Sequence, residues 1–195
     1  MAKEYERKTK ESKPVVAICY DFDKTLTPDD MQAQGFIQSV DCDVSSFWEE
    51  SNGLAEQNDM DQNLAYMYTM KQKSEGAVLF TKKKLTEYGA SIKLFPGVEE
   101  WFERIRLYAF EKGVIVEHYI ISSGLKEMIE GTKVSKSFEK IYASSFYYNE
   151  KDVAVWLRSV PLVRAGKSKQ NGKISQIVNE CTATINPLGI SEKKM

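Results

Sequence analysis

The sequence has little of what membrane-spanning, secreted or disulfide-stapled proteins need. Its apolar runs all fall short of the roughly 20 residues that span a bilayer, and residues 1–13 are charged and lack the apolar segment of a signal peptide. The cysteines Cys19, Cys42 and Cys181 are not spaced like metal ligands or a disulfide framework. Reduced thiols are therefore favoured, and we expect a cytoplasmic protein without a membrane segment.

An excess of charge of one sign is also lacking. The chain has 27 basic and 28 acidic side chains and a formal net charge of −1, which argues against a protein that binds nucleic acid over its whole surface. With 195 residues, 42% of them hydrophobic and 28% charged, it has the composition of an ordinary globular protein. A chain of this length can bury about 70% of the surface that it exposes when unfolded, so it needs no disulfides or structural metals to fold.

The most distinctive stretch is residues 15–27, where an apolar run ends in two carboxylates, Asp21 and Asp23, followed by the hydroxyls of Thr25 and Thr27. The run has the length and the valine and isoleucine content of a buried strand. Because side chains two residues apart leave a strand on the same face, Asp21 and Asp23 are predicted to point together. Adjacent carboxylates repel each other. A bound cation and a reaction that uses both groups would explain their position.

Helices alone are predicted between residue 28 and about residue 92, where strand patterns are absent. The predicted series is a weak helix from Met31 to Val40, a second capped by Asp43 or Ser45, a third capped by Asp59 or Asp61, and a fourth, containing Val78, Leu79, Leu85 and Tyr88, that Gly89 ends. We expect the third helix to place Leu64, Met67 and Tyr68 on one face. The block is long enough to be a helical subdomain inserted after the first strand.

Strands and helices alternate after residue 92. The predicted elements are an amphipathic helix from Val98 closed by Gly113, a strand from Val114 to Ile121 that ends in Ser122-Ser123-Gly124, a short helix over 125–130, and strands over 141–146 and 147–157 joined by a turn at 149–152. This order predicts a parallel sheet flanked by helices. Past Leu157 the pattern weakens, with a basic stretch over 164–173 and helical spacing of Ile174, Ile177 and Val178.

The ends of two predicted strands carry complementary chemistry. Asp21 and Asp23 end the first strand, and Ser122 ends the second. Ligands of open parallel sheets bind at these ends, where a hydroxyl and a helix N-terminus form an anion site. Carboxylates beside an anion call for a divalent cation, and Mg²⁺ held by carboxylates and a substrate phosphate is the expected arrangement. A basic side chain would complete the charge balance.

Lys173, at the start of the late helical pattern, is the best-placed candidate for that basic side chain, with Lys169 and Lys167 as alternatives. A P-loop at Gly166-Lys167-Ser168 is disfavoured, because Pro161 occupies the place of its first glycine. His118, the only histidine, lies inside a predicted strand, and we expect it to have a structural role.

Residues 21–27, Asp-Phe-Asp-Lys-Thr-Leu-Thr, resemble motif I of the haloacid dehalogenase (HAD) superfamily in its phosphatase form, DxDxT. Residues 120–124, Ile-Ile-Ser-Ser-Gly, are similar to motif II, an apolar strand that ends in Ser or Thr. Residues 94–98 resemble the segment that returns from a helical cap to the core. Residues 171–174, Asn-Gly-Lys-Ile, resemble less closely the motif III lysine of phosphoserine-phosphatase-like members. The resemblance covers about residues 14–156 well.

The resemblance implies an α/β fold with a Rossmann-like, HAD-like parallel sheet core formed by residues 14–27 and 93–195. Residues 28–92 would form an inserted, all-helical C1-type cap that closes over the site and selects the substrate. Residues 1–13 would be a flexible N-terminal lead-in.

The same resemblance implies a Mg²⁺-dependent phosphatase that acts on a small phosphorylated metabolite. Asp21 would be the nucleophile that forms an aspartyl-phosphate, and Asp23 would protonate the leaving oxygen and then deprotonate the hydrolytic water. Ser122, Ser123 and Lys173 would hold the phosphoryl oxygens. Mg²⁺ would be held by the Asp21 carboxylate and the Asp23 main-chain carbonyl.

One departure from the family pattern leaves alternatives open. HAD proteins carry an acidic motif IV after the lysine helix, and its Asp completes the metal site, but no aspartate follows Asp152 and only Glu180 and Glu192 remain. A truncated relative that binds a ligand or partner without turnover is one alternative. The other is a phospho-acceptor domain in which phosphorylated Asp21 is a signal, against which Asp23 and the large cap argue.

Overall fold

The computed structural model describes residues 9–159. Within this range five strands form one sheet in the order β1-β2-β3-β4-β5, namely Thr9–Lys10, Lys13–Tyr20, Ile115–Leu125, Lys140–Tyr148 and Ala154–Ser159. Strands β2, β3 and β4 are parallel to one another, whereas β1 and β5 pair antiparallel at the two edges. The predicted α/β fold class is confirmed. The β4–β5 connection is antiparallel because a short turn cannot provide the crossover that parallel strands need.

Strand β2 is the apolar run predicted as the first strand. Its register with β3 runs from Val15 opposite Ile115 to Tyr20 opposite Ile120. Strand β1, which lies in the predicted lead-in, pairs with the beginning of β2. The carboxyl ends of β2 and β3 therefore lie at the same edge of the sheet, which is the geometry that the sequence argument requires.

Within the described range the helices are α1 Phe36–Ser39, α2 Val44–Gln57, α3 Gln62–Ser74, α4 Lys82–Ala90, α5 Val98–Glu111 and α6 Lys126–Gly131, with 3-10 turns at Met31–Gln34 and Ser135–Ser137. No helix in this part of the chain is long and apolar enough to cross a bilayer. Of the alternative caps, Asp43 accepts from the Ser46 N–H at 2.9 Å at the start of α2. Asp61 accepts from the Asn63 N–H at 2.8 Å at the start of α3.

Three of the helix predictions are wrong in detail. The first predicted helix is split at Gly35, whose φ of +147° no helix accommodates. In α3 the buried face runs through Ala65, Tyr66, Met67, Thr69 and Met70, and Leu64 is 39% exposed. Thr81 caps α4, so Val78 and Leu79 precede that helix, and Gly89 lies inside it.

One hydrophobic cluster joins the helices to the sheet. Phe36, Phe47 and Met67 from the helical block belong to the same buried cluster as Ile120 and Phe146 from the strands. The cap helices of the predicted insertion thus pack directly on the core sheet. The exact division of the chain into cap and core stays a prediction.

Strand β3 extends farther than predicted. It runs on through the Ser122-Ser123-Gly124 corner to Leu125, with an irregularity in its pairing with β4 between Ile121 and Leu125. Helix α6 begins only at Lys126. The extension brings Gly124 beside the carboxylate of Asp23.

Candidate active site

The loop after β2 is a tight turn built around Phe22. The Phe22 carbonyl accepts from the N–H groups of Thr25, at 3.3 Å, and Leu26, at 2.9 Å, and Lys24 takes a φ of +58°. The Phe22 side chain is fully buried, whereas Asp21 is exposed and Asp23 half-buried. Phe22 therefore leaves the backbone toward the core, away from the site, as the predicted alternation requires.

Thr27 stabilises this loop from within. Its side chain is fully buried, and its hydroxyl donates to the Asp29 carbonyl at 2.8 Å and accepts from the Lys24 N–H at 3.3 Å. Thr25, in contrast, is exposed. The hydroxyl of Thr27 thus fixes the backbone of the loop that follows the two carboxylates.

Asp23 lies where the ends of β2 and β3 meet. Its Oδ1 accepts from the Met31 N–H at 2.9 Å. On the other side is Gly124, where an added Cβ would lie 2.8 Å from Asp23 Oδ2 and would also overlap the methyl group of Met31. The structure therefore brings together the two strand ends that the sequence predicts as neighbours, and a larger residue than glycine at 124 would displace the Asp23 or Met31 side chain.

Burial raises the pKa of Asp23 to about 7. The negative charges of Asp30 and Asp21 add to this rise, while the Met31 N–H and the Lys24 ammonium oppose it. A carboxyl group with a pKa near neutrality is populated in both its acid and its base form at physiological pH. Such a group is suited to donate and then accept a proton.

The two serines of the second strand end have different surroundings. Ser122 is buried, and its Oγ accepts from the Gly124 N–H at 3.1 Å. Ser123 is exposed at its side chain, and its carbonyl accepts from the Tyr66 hydroxyl at 2.6 Å and from Ser144 Oγ at 2.8 Å. Both serines lie at the predicted edge. Lys173, Lys169 and Lys167 lie outside the described residues.

Asp21 is the exposed carboxylate at the end of β2, and its Oδ1 accepts from the Phe22 N–H at 2.7 Å. In residues 9–159 no group of three or more His, Cys, Asp or Glu side chains is placed to hold a metal ion. Mg²⁺ in proteins often has only one or two carboxylates and completes its shell with substrate phosphate and water. The Asp21 carboxylate and the Asp23 carbonyl fit that donor set.

Sequence reasoning missed Met31, Gln32 and Tyr66 as residues near the carboxylates. Met31 contacts Asp23 through its N–H, Gln32 follows it in the same 3-10 turn, and Tyr66 reaches the Ser123 carbonyl from α3. The helical pattern of α3 contained the signal for Tyr66, because Tyr66 and Met70 are four residues apart on one face. The sequence predicts Tyr68, with Leu64 and Met67, on the shared face of this helix.

A small aromatic network joins β2, β3 and α5. The Tyr20 hydroxyl accepts from Trp101 Nε1 at 2.9 Å and is hydrogen-bonded to His118 Nδ1 at 3.0 Å. His118 is fully buried. Burial, with a smaller contribution from the Arg106 charge, lowers the pKa of His118 to about 4. These contacts agree with the structural role expected for the histidine.

Comparison with known sequences yields a distant relative. No protein-family model matches the chain. An uncharacterized protein of Borreliella burgdorferi is 29% identical over 149 residues, which are 70% of this chain and 51% of that protein. The chain therefore spans about half the length of the curated relative that it matches.

Comparison with solved structures identifies the fold. A HAD family hydrolase from Salmonella enterica serovar Typhi aligns with a TM-score of 0.52 at 14% identity, over 86% of this chain and 51% of that one. A phosphoserine phosphatase in a phospho-aspartyl intermediate analogue form aligns with a TM-score of 0.51 at 14% identity, over 86% of this chain and 72% of that one. A probable phosphoserine phosphatase from Vibrio cholerae aligns with a TM-score of 0.51 at 14% identity, over 85% of this chain and 46% of that one. The chain has the fold of these hydrolases, as the motifs predicted.

Proposed function

Starting from the haloacid dehalogenase fold, we propose that this chain is a Mg²⁺-dependent phosphatase that hydrolyses a small phosphomonoester through an aspartyl-phosphate. One observation carries the proposal. Asp21 and Asp23 directly follow strand β2, and Gly124, near the end of the parallel strand β3, lies against Asp23. A structural loop would not need two carboxylates there, one of them with a pKa raised to about 7.

In the first step an Asp21 oxygen attacks phosphorus, a new O–P bond forms, and the bond from phosphorus to the leaving oxygen breaks. Protonated Asp23 gives its proton to that oxygen, so an alcohol departs. In the second step water attacks the aspartyl-phosphate, Asp23 takes a proton from the water, and phosphate leaves with regeneration of the Asp21 carboxylate. The raised pKa of Asp23 supports its use as acid and then as base.

The approach of an anionic nucleophile to an anionic phosphate needs positive charge. When bound, Mg²⁺ would supply that charge as a Lewis acid beside the phosphoryl oxygens. The Asp21 carboxylate and the Asp23 main-chain carbonyl would hold it. Ser122, Ser123 and Lys173 would bind the phosphoryl oxygens, with Lys169 or Lys167 as alternatives to Lys173.

Hydrolysis of p-nitrophenyl phosphate with Mg²⁺ tests the proposal. Asp21→Asn removes the nucleophile and should abolish turnover, and Asp23→Asn removes the proton donor and should lower kcat by about 10²- to 10⁴-fold. Asp41→Asn is a matched control, because Asp41 is exposed and has a φ of +52° that asparagine also accepts. The control should retain the parent rate.

Other results would favour the alternatives. Full activity in Asp21→Asn would exclude the aspartyl-phosphate route. Stable phosphorylation of Asp21 without release of phosphate would favour a phospho-acceptor. Absence of turnover in the parent chain would favour a relative that binds its ligand without hydrolysing it.

A further inference from the structure

The peptide unit that joins Ser123 to Gly124 is hydrogen-bonded through both of its polar atoms. We call it the 123–124 peptide. Its oxygen, the Ser123 carbonyl, accepts from the Tyr66 hydroxyl at 2.6 Å and from Ser144 Oγ at 2.8 Å. Its N–H, which belongs to Gly124, donates to Ser122 Oγ at 3.1 Å. Because a peptide unit is planar, bonds to its oxygen and to its N–H together fix its orientation.

Both donors to the 123–124 peptide are enclosed by the protein. Tyr66 is 5% exposed and Ser144 is fully buried, so these hydrogen bonds are formed where little water competes for them. Burial raises the pKa of Tyr66, and its hydroxyl therefore keeps its proton at neutral pH and remains a donor. Two short hydrogen bonds in such surroundings hold a carbonyl group in one position.

The 123–124 peptide contacts both groups that the proposed reaction uses at this edge of the sheet. Gly124 lies against the carboxyl group of Asp23, since an added Cβ would be 2.8 Å from Oδ2. The Gly124 N–H also occupies a lone pair of Ser122 Oγ, and within residues 9–159 Ser122 Oγ donates to no acceptor. A hydroxyl that accepts in this way still has its one hydrogen to donate. A rotation of the peptide would therefore disturb Ser122 and Asp23 together.

The helical block supplies part of what orients this strand end. Tyr66 belongs to α3 and is 57 residues before its acceptor in the chain. A second contact comes from Met31, whose Sδ accepts from the Leu125 N–H at 3.1 Å. Met31 also donates its own N–H to Asp23 Oδ1 at 2.9 Å. The end of β3 is thus oriented by the helical block as well as by the neighbouring strand β4.

We infer that Tyr66 and Ser144 are positioning residues for the proposed reaction. Their hydroxyls hold the 123–124 peptide in the orientation that presents the Ser122 hydroxyl to the phosphoryl group and keeps Gly124 against Asp23. The inference rests on the proposed phosphatase function and extends it, because it makes the rate of the reaction depend on a hydroxyl carried by α3. Both residues act through the peptide and not on the reacting atoms.

The test is hydrolysis of p-nitrophenyl phosphate with Mg²⁺ by Tyr66→Phe, Ser144→Ala and the double variant. Tyr66→Phe keeps the ring that packs against Trp48 and removes only the hydroxyl. We expect the double variant to lose about tenfold or more in kcat while KM changes by less than about threefold, because a displaced reacting group lowers the rate more than it weakens binding. Each single variant keeps one donor and should lose less.

Tyr68→Phe is the matched control. It removes a hydroxyl from the same helix, one that accepts from Gln72 Nε2 at 2.8 Å on the exposed side, and should keep the parent kcat and KM. A folded double variant with a kcat within about twofold of the parent value would overturn the inference and leave the proposed phosphatase intact, as would a raised KM at unchanged kcat. If the double variant does not fold, Tyr66→Phe decides, since a lowered kcat at unchanged KM supports the inference and the parent kcat overturns it.

A second measurement does not depend on turnover. Amide hydrogen exchange at Gly124, followed by NMR, reports how firmly the 123–124 peptide is held. Loss of both hydroxyls should speed this exchange by about tenfold or more relative to the amide of Ile120, which lies in the regularly paired part of β3. An unchanged ratio overturns the inference. If the parent chain does not hydrolyse p-nitrophenyl phosphate, the proposed function fails, and the exchange ratio alone then decides whether the two hydroxyls hold the peptide.

Discussion

Single residues control how closely the two strand ends approach. Gly124 is the clearest case, because an added methyl group would meet both Asp23 Oδ2 and the Met31 side chain. We expect Gly124→Ala to displace the Asp23 carboxyl group and to lower kcat for p-nitrophenyl phosphate by about tenfold or more, since small displacements of catalytic groups are costly. Steady-state kinetics measure this. A variant with the parent kcat would show that Asp23 tolerates the shift.

Thr27 offers a second test at the residue scale. Thr27→Val keeps the shape of the side chain but leaves the Asp29 carbonyl and the Lys24 N–H without their buried partner. The free energy of unfolding should fall by about 1–3 kcal/mol, as measured by urea denaturation. Thr27→Ser retains the hydroxyl and should recover most of the loss. Equal stability of the valine and serine variants would contradict the role given to the hydroxyl.

His118 predicts a dependence of stability on pH. Its pKa is about 4 in the folded chain and about 6.5 when unfolded, so the unfolded state binds the proton more readily. The stability that the neutral imidazole contributes is present above about pH 6.5 and is lost as pH falls toward 4, by about 3 kcal/mol at pH 4.

The measurement is urea unfolding of the parent chain and of His118→Asn between pH 7.5 and 4.5. Asparagine cannot become charged, and its amide group can still form a hydrogen bond with the Tyr20 hydroxyl. The parent should therefore lose more stability than the variant on acidification. Parallel losses would mean that His118 does not titrate between those pH values.

At the scale of elements, α4 and α6 pack with their backbones in contact. An added Cβ at Gly89 would overlap the Met128 carbonyl oxygen, and one at Gly131 would overlap the Thr86 carbonyl oxygen. Gly89, which the sequence predicts to end the helix, instead allows this close approach. The distinction depends on a neighbouring helix that local sequence does not reveal.

Gly89→Ala should therefore destabilise the fold by about 1–3 kcal/mol through overpacking, although alanine is the better helix former. Gly53→Ala is the matched control, because Gly53 also lies inside a helix and nothing is within 4 Å of its added Cβ. That variant should be more stable than the parent by about 0.5–1 kcal/mol. Thermal and urea unfolding of both variants measure the contrast, and stabilisation by Gly89→Ala would refute the packing argument.

At the scale of the whole molecule, one hydrophobic cluster spans the helical block and the sheet. We expect both parts to unfold in one cooperative transition. Trp48 reports on the helical block and Trp101 on α5 beside the sheet, so single-tryptophan variants that keep one or the other separate the two signals. Fluorescence-detected urea curves with coincident midpoints support the expectation. An earlier midpoint for Trp48 would identify a helical block that opens independently.

The local sequence pattern predicts much of the candidate site. The alternation through Asp21, Phe22 and Asp23 predicts which side chains share a face, and the buried Phe22 agrees with it. The sequence predicts Asp43 or Ser45 as the cap of one helix and Asp59 or Asp61 as the cap of the next, because capping depends on residues within one turn. The structure uses Asp43 and Asp61. The antiparallel β4–β5 pair could not be read from the strand–helix alternation, because pairing direction depends on where the chain turns back.

The sequence by itself determined that two carboxylates end a buried strand, that a serine corner ends another, and that helices fill the interval, because each of these depends on neighbours along the chain. The tertiary structure alone decided the raised pKa of Asp23, the close approaches at Gly124 and Gly89, and the contact between Trp48 and Tyr66. Those properties arise from burial and from contacts between segments that are distant in the sequence. The local sequence does not show which distant segments will be in contact.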